Sequence, residues 1–454
     1  MLHPDGLPTP RRYWALLALA LGTTLAVMDG AIANIALPTI ARELHSDPST
    51  SVWVVNAYQM AIMISLLPLA SLAERVGYRR VYLGGLTLFT IASLACALST
   101  NLAMLTTARV VQGFGAAGLM SVNIAVLRMI FPVRQLGHGV AVNASIVAIA
   151  SAMGPTIASG ILAIASWNWL FAVNVPIGIA ALAVGLRSMP NNELHNRPYD
   201  YLSAVLNALT FGLAILAVDG LAHPGGRIWV ALELAGAVGI GIVFVRRQLS
   251  QAAPLLPVDL LRIPLFAMAI GTSVCAFTSQ MLAFVSLPFY LQDALGRSQV
   301  ETGLLMTPWP LTIVVIAPLA GYLSGRVSAG LLCGIGLIAF AAGLLLLAVL
   351  PAHPTALDII WRMAVCGFGY GMFQTPNNRA ILSSAPRERT GGASGMLGTA
   401  RLTGQTLGAA LVAVIFGVLP AHGTTVTLVV GAGFSAVAAM VSLGRLANRS
   451  VAAA

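Results

Sequence analysis

The chain has 454 residues, of which 58% are hydrophobic and only 8% charged, with a formal net charge of +10 and a mean hydropathy of +0.88. Soluble domains carry about 25% charged residues, so the composition excludes a soluble enzyme and indicates a polytopic membrane protein. Its apolar runs are continuous and about 20 residues long, which excludes a β-barrel of short alternating strands and predicts an all-α fold.

In chain order, stretches able to span a bilayer fall at 13–37, 52–72, 81–99, 102–127, 138–164, 168–188, 201–220, 229–245, 265–290, 302–325, 329–350, 358–382, 391–418 and 424–444, fourteen in all. Long polar connections at 190–200 and 246–264 divide them into three units. These are a six-helix half (1–189), a linker with an inserted two-helix hairpin (190–263) and a second six-helix half (264–454). An internal echo supports duplication: Leu69 to Gly77 after the second span resembles Leu319 to Val327 after the tenth.

All 24 basic residues are arginine. They are spaced between apolar runs, so no nucleic-acid partner is implied. The missing lysine removes the P-loop route to ATP. With the N-terminus in the cytoplasm, Arg11, Arg12, Arg75, Arg79, Arg80, Arg128, Arg134, Arg187, Arg197, Arg246, Arg247, Arg262, Arg326, Arg379, Arg387, Arg389, Arg445 and Arg449 all face inward. Only Arg42, Arg227, Arg297 and Arg362 face out, which predicts two cytoplasmic termini. Met1 to Arg12 is polar and no small-residue cleavage site comes after it, so no cleavable signal is expected. Cys96, Cys275, Cys333 and Cys366 lie in separate apolar runs without CxxC spacing and read as core residues. The seven histidines sit in or beside polar connections. No metal site or cofactor is implied, and no nucleophile and base pair suggests an enzyme.

Asp29 lies deep in the first span, where a charge costs roughly 2.5 to 3.5 kcal/mol at the bilayer centre. Taking Pro38 as the outer end of that span puts Asp29 nine residues, about 13 Å, inside. Arg109, eight residues into the fourth span from Asn101, shares that depth, and Gln112 shares its helical face. A carboxylate whose proton affinity changes as an arginine approaches or leaves is the minimum device for coupling protons to a conformational cycle. A fixed structural ion pair is the other reading, because spacing establishes equal depth and not contact.

The loop after the second span carries Glu74, Arg75, Gly77, Arg79 and Arg80, with the glycine suited to a sharp turn. Glu74 would sit at a helix N-terminus of the opposite half and latch the cytoplasmic side, or the arginines simply orient the chain. Gly113-Phe-Gly115-Ala-Ala-Gly118 matches GxGxxG, but it lies in mid-helix with no strand before it. Close helix packing accounts for it and for Gly367-Phe-Gly369-Tyr-Gly371. Gly154-Pro155 with Gly160 puts a proline among small residues and permits a bend and close approach of a neighbouring helix. Polar groups at membrane depth, namely Asn34, Asn56, Gln59, Gln280, Gln374, Asn377, Asn378, Arg401 and Gln405, are expected to face the bundle or a wet cavity. Tyr58, Tyr290 and Trp309, with methionines such as Met28 and Met306, are candidates for adaptable apolar contact.

Together these pieces resemble the major facilitator superfamily, and within it the fourteen-helix drug:proton antiporter branch of QacA-like and methylenomycin-resistance exporters. The resemblance covers the whole chain. Met28-Asp29 through Asn34 to Pro38 is similar to the branch's first-span motif, and Leu72 to Arg80 to the superfamily loop motif. Arg109-Val-Val-Gln112-Gly113 is similar to the fourth-span proton-transfer motif. Gly154-Pro155 is similar to the antiporter motif, and Ser166 to Gly178 to the family sequence just downstream of that motif. Ala70 and Glu74 stand where the loop motif usually has Gly and Asp, and Ala158-Ser159 where the antiporter motif ends Gly-Gly. The tenth span has only Glu301, at its outer mouth.

The resemblance implies two rocking six-helix bundles plus a two-helix insertion, in a monomer of the bacterial inner membrane. It implies proton-coupled efflux of small amphipathic compounds, with protons, substrate and the bilayer as the partners. A dedicated exporter of a native metabolite is the alternative. A non-transporting receptor or scaffold is disfavoured, because no soluble stretch exceeds a short loop.

Overall fold

The computed structural model describes residues 6–192, 194, 199–221, 227–251, 254–386 and 389–452. Arg197 and Arg387, assigned above to the arginine-rich face, lie outside them, as do the side chains of Arg227 and Arg449. The described residues contain no strand. Their α-helices are α1 (Arg11–Glu43), α2 (Pro48–Ser51), α3 (Trp53–Val76), α4 (Tyr78–Ala97), α5 (Leu102–Ile130), α6 (Leu136–Leu162), α7 (Asn168–Ala172), α8 (Asn174–Ser188), α9 (Tyr201–Gly220), α10 (Arg227–Ser250), α11 (Pro264–Phe289), α12 (Gln299–Met306), α13 (Pro308–Leu323), α14 (Ala329–Ala348), α15 (Ala356–Ser384), α16 (Thr390–Val418) and α17 (Gly423–Ala452).

Thirteen helical stretches among the described residues are long and apolar enough to cross a membrane. The expected twelfth span, now α15, is 29 residues long but is not one of them. Asp358, Arg362, Gln374, Asn377, Asn378 and Arg379 dilute its hydropathy, and it packs between α13 and α14. The count of fourteen is therefore approximate. The eighth span, the shortest by sequence, is the 24-residue α10.

Pro38 does not end the first helix. It sits inside α1, which continues to Glu43, because a membrane helix tolerates the one backbone bond a proline removes. Asp29 is thus fourteen residues, about 21 Å along the helix, from that end rather than nine.

The helices sort into two packed groups. In the first, α5 lies against α3 and α4, and α1 against α6 and α8; in the second, α15 lies against α13 and α14, and α11 against α16 and α17. Glycine decides how close α5 and α15 come. A Cβ on Gly115 would stand 2.5 Å from the Phe89 nitrogen and one on Gly118 would stand 2.9 Å from the Gly85 Cα. Likewise, a Cβ on Gly369 would stand 2.4 Å from the Phe340 nitrogen. The GxGxxG string is a packing device, as its mid-helix position predicts. Between the groups, α9 packs against both α3 and α16, while α10 rests mainly on α9 and turns an apolar face outward.

Because the long helices alternate in direction, the start of α1 and the end of α17 share one face, here the terminal face. Hydrogen bonds joining the groups cluster toward the other, far face. Thr39 Oγ1 donates to Gln292 Oε1 (3.3 Å), Gln292 Nε2 to the Ile35 carbonyl (3.0 Å) and Arg42 Nη1 to Asp293 Oδ1 (3.3 Å). The Thr156 and Thr307 hydroxyls are 2.9 Å apart.

Candidate functional site

Asp29 and Arg109 are in contact. Arg109 Nη1 donates to Asp29 Oδ2, and their side chains are 1% and 0% exposed, a fully enclosed pair. Two neutral donors complete the carboxylate's shell: Gln112 Nε2 at 3.0 Å and Asn174 Nδ2 at 2.8 Å, both on Oδ1. The four side chains come from α1, α5 and α8, so the site exists only when three helices are docked.

The arginine is held as firmly as the acid. Its Nε donates to the Val54 carbonyl (2.9 Å), its Nη1 also reaches Gln112 Oε1 (2.6 Å), and its Cζ lies 4.1 Å from the Tyr58 ring centroid and 5.5 Å from that of Phe171. The backbone bond to Val54 needs α3 and α5 almost touching. Gly113 supplies this, since a Cβ there would be 2.6 Å from the Tyr58 carbonyl. Gln112 is in turn fixed by donating to Ser93 Oγ (2.8 Å), and Tyr58 by donating to the Ala26 carbonyl (2.9 Å). Such a buried pair survives because both charged groups are hydrogen-bonded as well as paired, with only Arg109 Nη2 lacking a partner among the described residues.

The second group shows how much of this is specific to the first. Gly367 meets the Trp309 carbonyl at 2.3 Å from its Cβ position, as Gly113 meets that of Tyr58. In that register Met363 stands where Arg109 does and Cys366 where Gln112 does, both fully buried. Charge chemistry occupies one bundle, and an apolar core fills the same place in the other.

Asn174 and Ser93 were not singled out as site residues by sequence reasoning. Each is a small polar residue in a mainly apolar helix, a signal shared with many Ser and Asn that only satisfy a neighbour. Gly154 belongs to the site's surroundings, because a Cβ there would press on Ala31 Cβ at 2.7 Å, two residues from Asp29. Pro155 and Ser159 back onto Gly303 of the second group, which a Cβ could not accommodate. Gly160 was expected to help close packing. It is exposed with nothing within 4 Å, because it lies beyond the contact with α12.

In the loop between α3 and α4, Gly77 has φ +108°, the left-handed backbone a sharp turn requires. Asn192 Oδ1 accepts from the Tyr78 N–H (2.7 Å) and Asn191 Oδ1 from Arg79 Nη1 (3.3 Å), so the start of the linker holds this loop. Glu74, Arg75 and Arg80 are exposed, and Glu74 forms no ion pair among the described residues.

The polar cavity candidates divide. Asn377 is committed to its own bundle: it donates to the Ala269 carbonyl (3.1 Å) and Ser273 Oγ (2.8 Å) and accepts from Arg445 Nη1 (2.9 Å). In this structure it acts as an interhelix tie. Asn34 Oδ1, both amide atoms of Asn56, Trp309 Nε1, Tyr370 Oη and Arg401 Nε are buried without a hydrogen-bond partner among the described residues. Gln59 is buried, while Gln280, Tyr290, Gln374 and Gln405 are half-buried. Arg401 is half-buried, forms no ion pair among the described residues, and acts electrostatically on Tyr58 of one group and Tyr370 of the other. Behind Tyr370 runs a series of edge and tilted ring contacts, Phe373, Phe340, Trp309 and Phe284, with centroids 4.8 to 5.7 Å apart.

The profile of the Major Facilitator Superfamily matches residues 19–409 and again 269–452. The chain is 59% identical over 443 residues, 97% of each protein, to the uncharacterized transporter YebQ of Escherichia coli (strain K12). It is 31% identical to the multidrug efflux pump LfrA of Mycolicibacterium smegmatis, over 91% of this chain and 82% of that one. The riboflavin transporter RibZ of Clostridioides difficile is 29% identical, over 89% and 88%. Among solved structures, a peptide transporter POT superimposes with a TM-score of 0.72 at 15% identity over 96% and 94% of the two chains, a likeness of fold alone. A chain whose sequence, helical architecture and buried intramembrane ion pair converge in this way belongs to the Major Facilitator Superfamily, and is a membrane transporter rather than an enzyme.

Proposed function

We propose that the protein is a proton-coupled exporter of small amphipathic molecules, working by alternating exposure of the space between its two helix groups. The observation that carries this reading is the enclosed Asp29–Arg109 pair with its Gln112 and Asn174 donors. Protonating Asp29 removes the negative half of the pair and leaves Arg109 on Val54, Gln112 and the Tyr58 ring. Deprotonation restores the pair. Tyr58 links this event to the interface, because one ring lies against Arg109 and within the field of Arg401. The far-face bonds of Thr39, Arg42 and Gln292 belong to the state closed on that side. Glu74 at the other face, without an ion pair among the described residues, fits a latch that engages only when that face closes. The arginine excess there supports a cytoplasmic terminal face.

Substrate chemistry follows from Arg401. A half-buried guanidinium with no ion pair among the described residues, near Tyr370, whose hydroxyl is unpartnered among them and whose ring leads into a row of others, suits planar molecules bearing anionic or carbonyl acceptors. It offers nothing to hold a dication. This favours a dedicated exporter of acceptor-rich metabolites over a pump for cationic drugs. The test is counterflow and pH-gradient-driven uptake into proteoliposomes, across a panel of anionic, neutral and cationic aromatic compounds. Wild-type protein drives proton-coupled uptake and Asp29→Asn does not; coupling that survives Asp29→Asn refutes the assignment.

A further inference from the structure

Where α13 turns into α14 at the terminal face, a cavity of about 390 Å³ is lined by Ser324, Gly325, Arg326, Ser328, Arg379 and Arg445, among others, with no carboxylate among its lining residues. The transport cycle above does not use it. Three features separate it from an ordinary arginine-rich membrane face. First, Arg445 is only 3% exposed and is pinned by bonds to Asn377 Oδ1, Thr272 Oγ1 and the Met268 carbonyl, so it cannot swing out to water. Second, Arg379 Nη1 donates to Ser324 Oγ (3.0 Å), and Arg326 lies over the Tyr322 ring at 4.6 Å, so both are oriented at the rim. Third, the 20-residue α14 begins here, with Ser328 as its cap and the first-turn residues Ala329 and Gly330 on the cavity wall.

The internal repeat says what the cavity lacks. Glu74-Arg75-Val76-Gly77 of the first group corresponds to Gly325-Arg326-Val327-Ser328 of the second, each run ending one residue before the next helix. Where the first loop carries its own carboxylate, the second has a glycine facing a space ringed by cations.

We propose that this cavity binds a phosphate group, which supplies from outside the chain the negative charge that Glu74 supplies within the other loop. Planar guanidinium groups, serine hydroxyls and a helix N-terminus form a donor set suited to tetrahedral oxyanions. Two sources share this chemistry, the headgroup of an anionic phospholipid in the adjacent leaflet and a soluble phosphorylated compound.

The test uses the purified full-length chain in detergent and native mass spectrometry with phosphatidylglycerol, phosphatidylcholine and inorganic phosphate. Each surface arginine is worth about fivefold in binding an anionic headgroup, so two removed should cost about 25-fold. Phosphatidylglycerol is expected to bind at least about tenfold more tightly than phosphatidylcholine. The preference should vanish in the Arg326→Gln/Arg379→Gln double variant, which leaves the buried Arg445 network alone. It should also vanish in Gly325→Glu, which installs the missing acid. A Cβ at Gly325 meets only the Tyr322 carbonyl, at an ordinary 3.5 Å, so a side chain is accommodated there. Variant-sensitive binding of phosphatidylglycerol that millimolar phosphate does not displace identifies a lipid site. Variant-sensitive binding of phosphate itself identifies a soluble anion. If neither probe binds above phosphatidylcholine, or binding is unchanged in both variants, the proposal is wrong.

Discussion

Replacing Asp29 with asparagine separates the structural from the functional role of the ion pair. The substitution keeps the shape and removes the charge, leaving Arg109 as a cation with 0% exposure and no counter-ion. Breaking one side of a buried pair costs about 3 to 5 kcal/mol. Arg109 keeps its bonds to Val54 and Gln112 and its position over the Tyr58 ring, so the cost should fall at the lower end, about 3 kcal/mol. The double variant Asp29→Asn/Arg109→Met should recover most of that loss, because removing both charges eliminates their desolvation. The second bundle already packs Met363 at the matching position. The assay is a double-mutant cycle by denaturation in detergent micelles, run beside pH-gradient-driven transport in proteoliposomes. The expected pattern is a destabilised single variant, a stability-restored double variant, and no proton coupling in either. A single variant as stable as wild type would refute the energetic argument, and proton-coupled transport by the double variant would sink the functional one.

Asp200 caps α9, and although burial pushes its carboxyl up, hydrogen bonds from Ser203, Gln251 and Arg247 hold it well below the usual range. A depressed carboxyl contributes stability above its unfolded value of about 4 and loses that contribution as pH falls below it. The protection factors for amide exchange at the start of α9, taken relative to the intrinsic rate at each pH, should therefore fall as pH drops through about 4 and below, and Asp200→Asn should flatten that dependence. Gly115→Ala forces a Cβ to 2.5 Å from the Phe89 nitrogen and should lower thermal stability by about 1 to 3 kcal/mol, whereas Gly160→Ala, with nothing within 4 Å, should be neutral. Arg401→Gln should weaken transport of anionic aromatic compounds at least about tenfold while sparing neutral ones; equal loss for both would point to a structural role instead.

Much of the architecture was legible because a bilayer makes sequence unusually explicit. Apolar length marks spans, arginine asymmetry predicts orientation, and a carboxylate at membrane depth stands out against its neighbours. Asp29, Arg109 and Gln112 stood out in this way, and the glycines of α5 pack as their mid-helix position predicts. Hydropathy was weakest where helices are shielded from lipid. α15 carries polar groups that its neighbours cover, and α1 runs through Pro38 because one lost backbone bond does not end a helix.

By itself, the sequence determined the all-α membrane fold and the identity of the deep charges, since these depend on transfer between water and lipid one segment at a time. Tertiary structure alone decided that Asp29 touches Arg109, that Asn174 and Ser93 complete the network, and that Asn377 is committed to its own bundle. It also showed that the loop lacking an acid borders a cation-lined cavity. Those outcomes depend on which faces of separate helices meet, and helical periodicity specifies a residue's depth and face without specifying its neighbour.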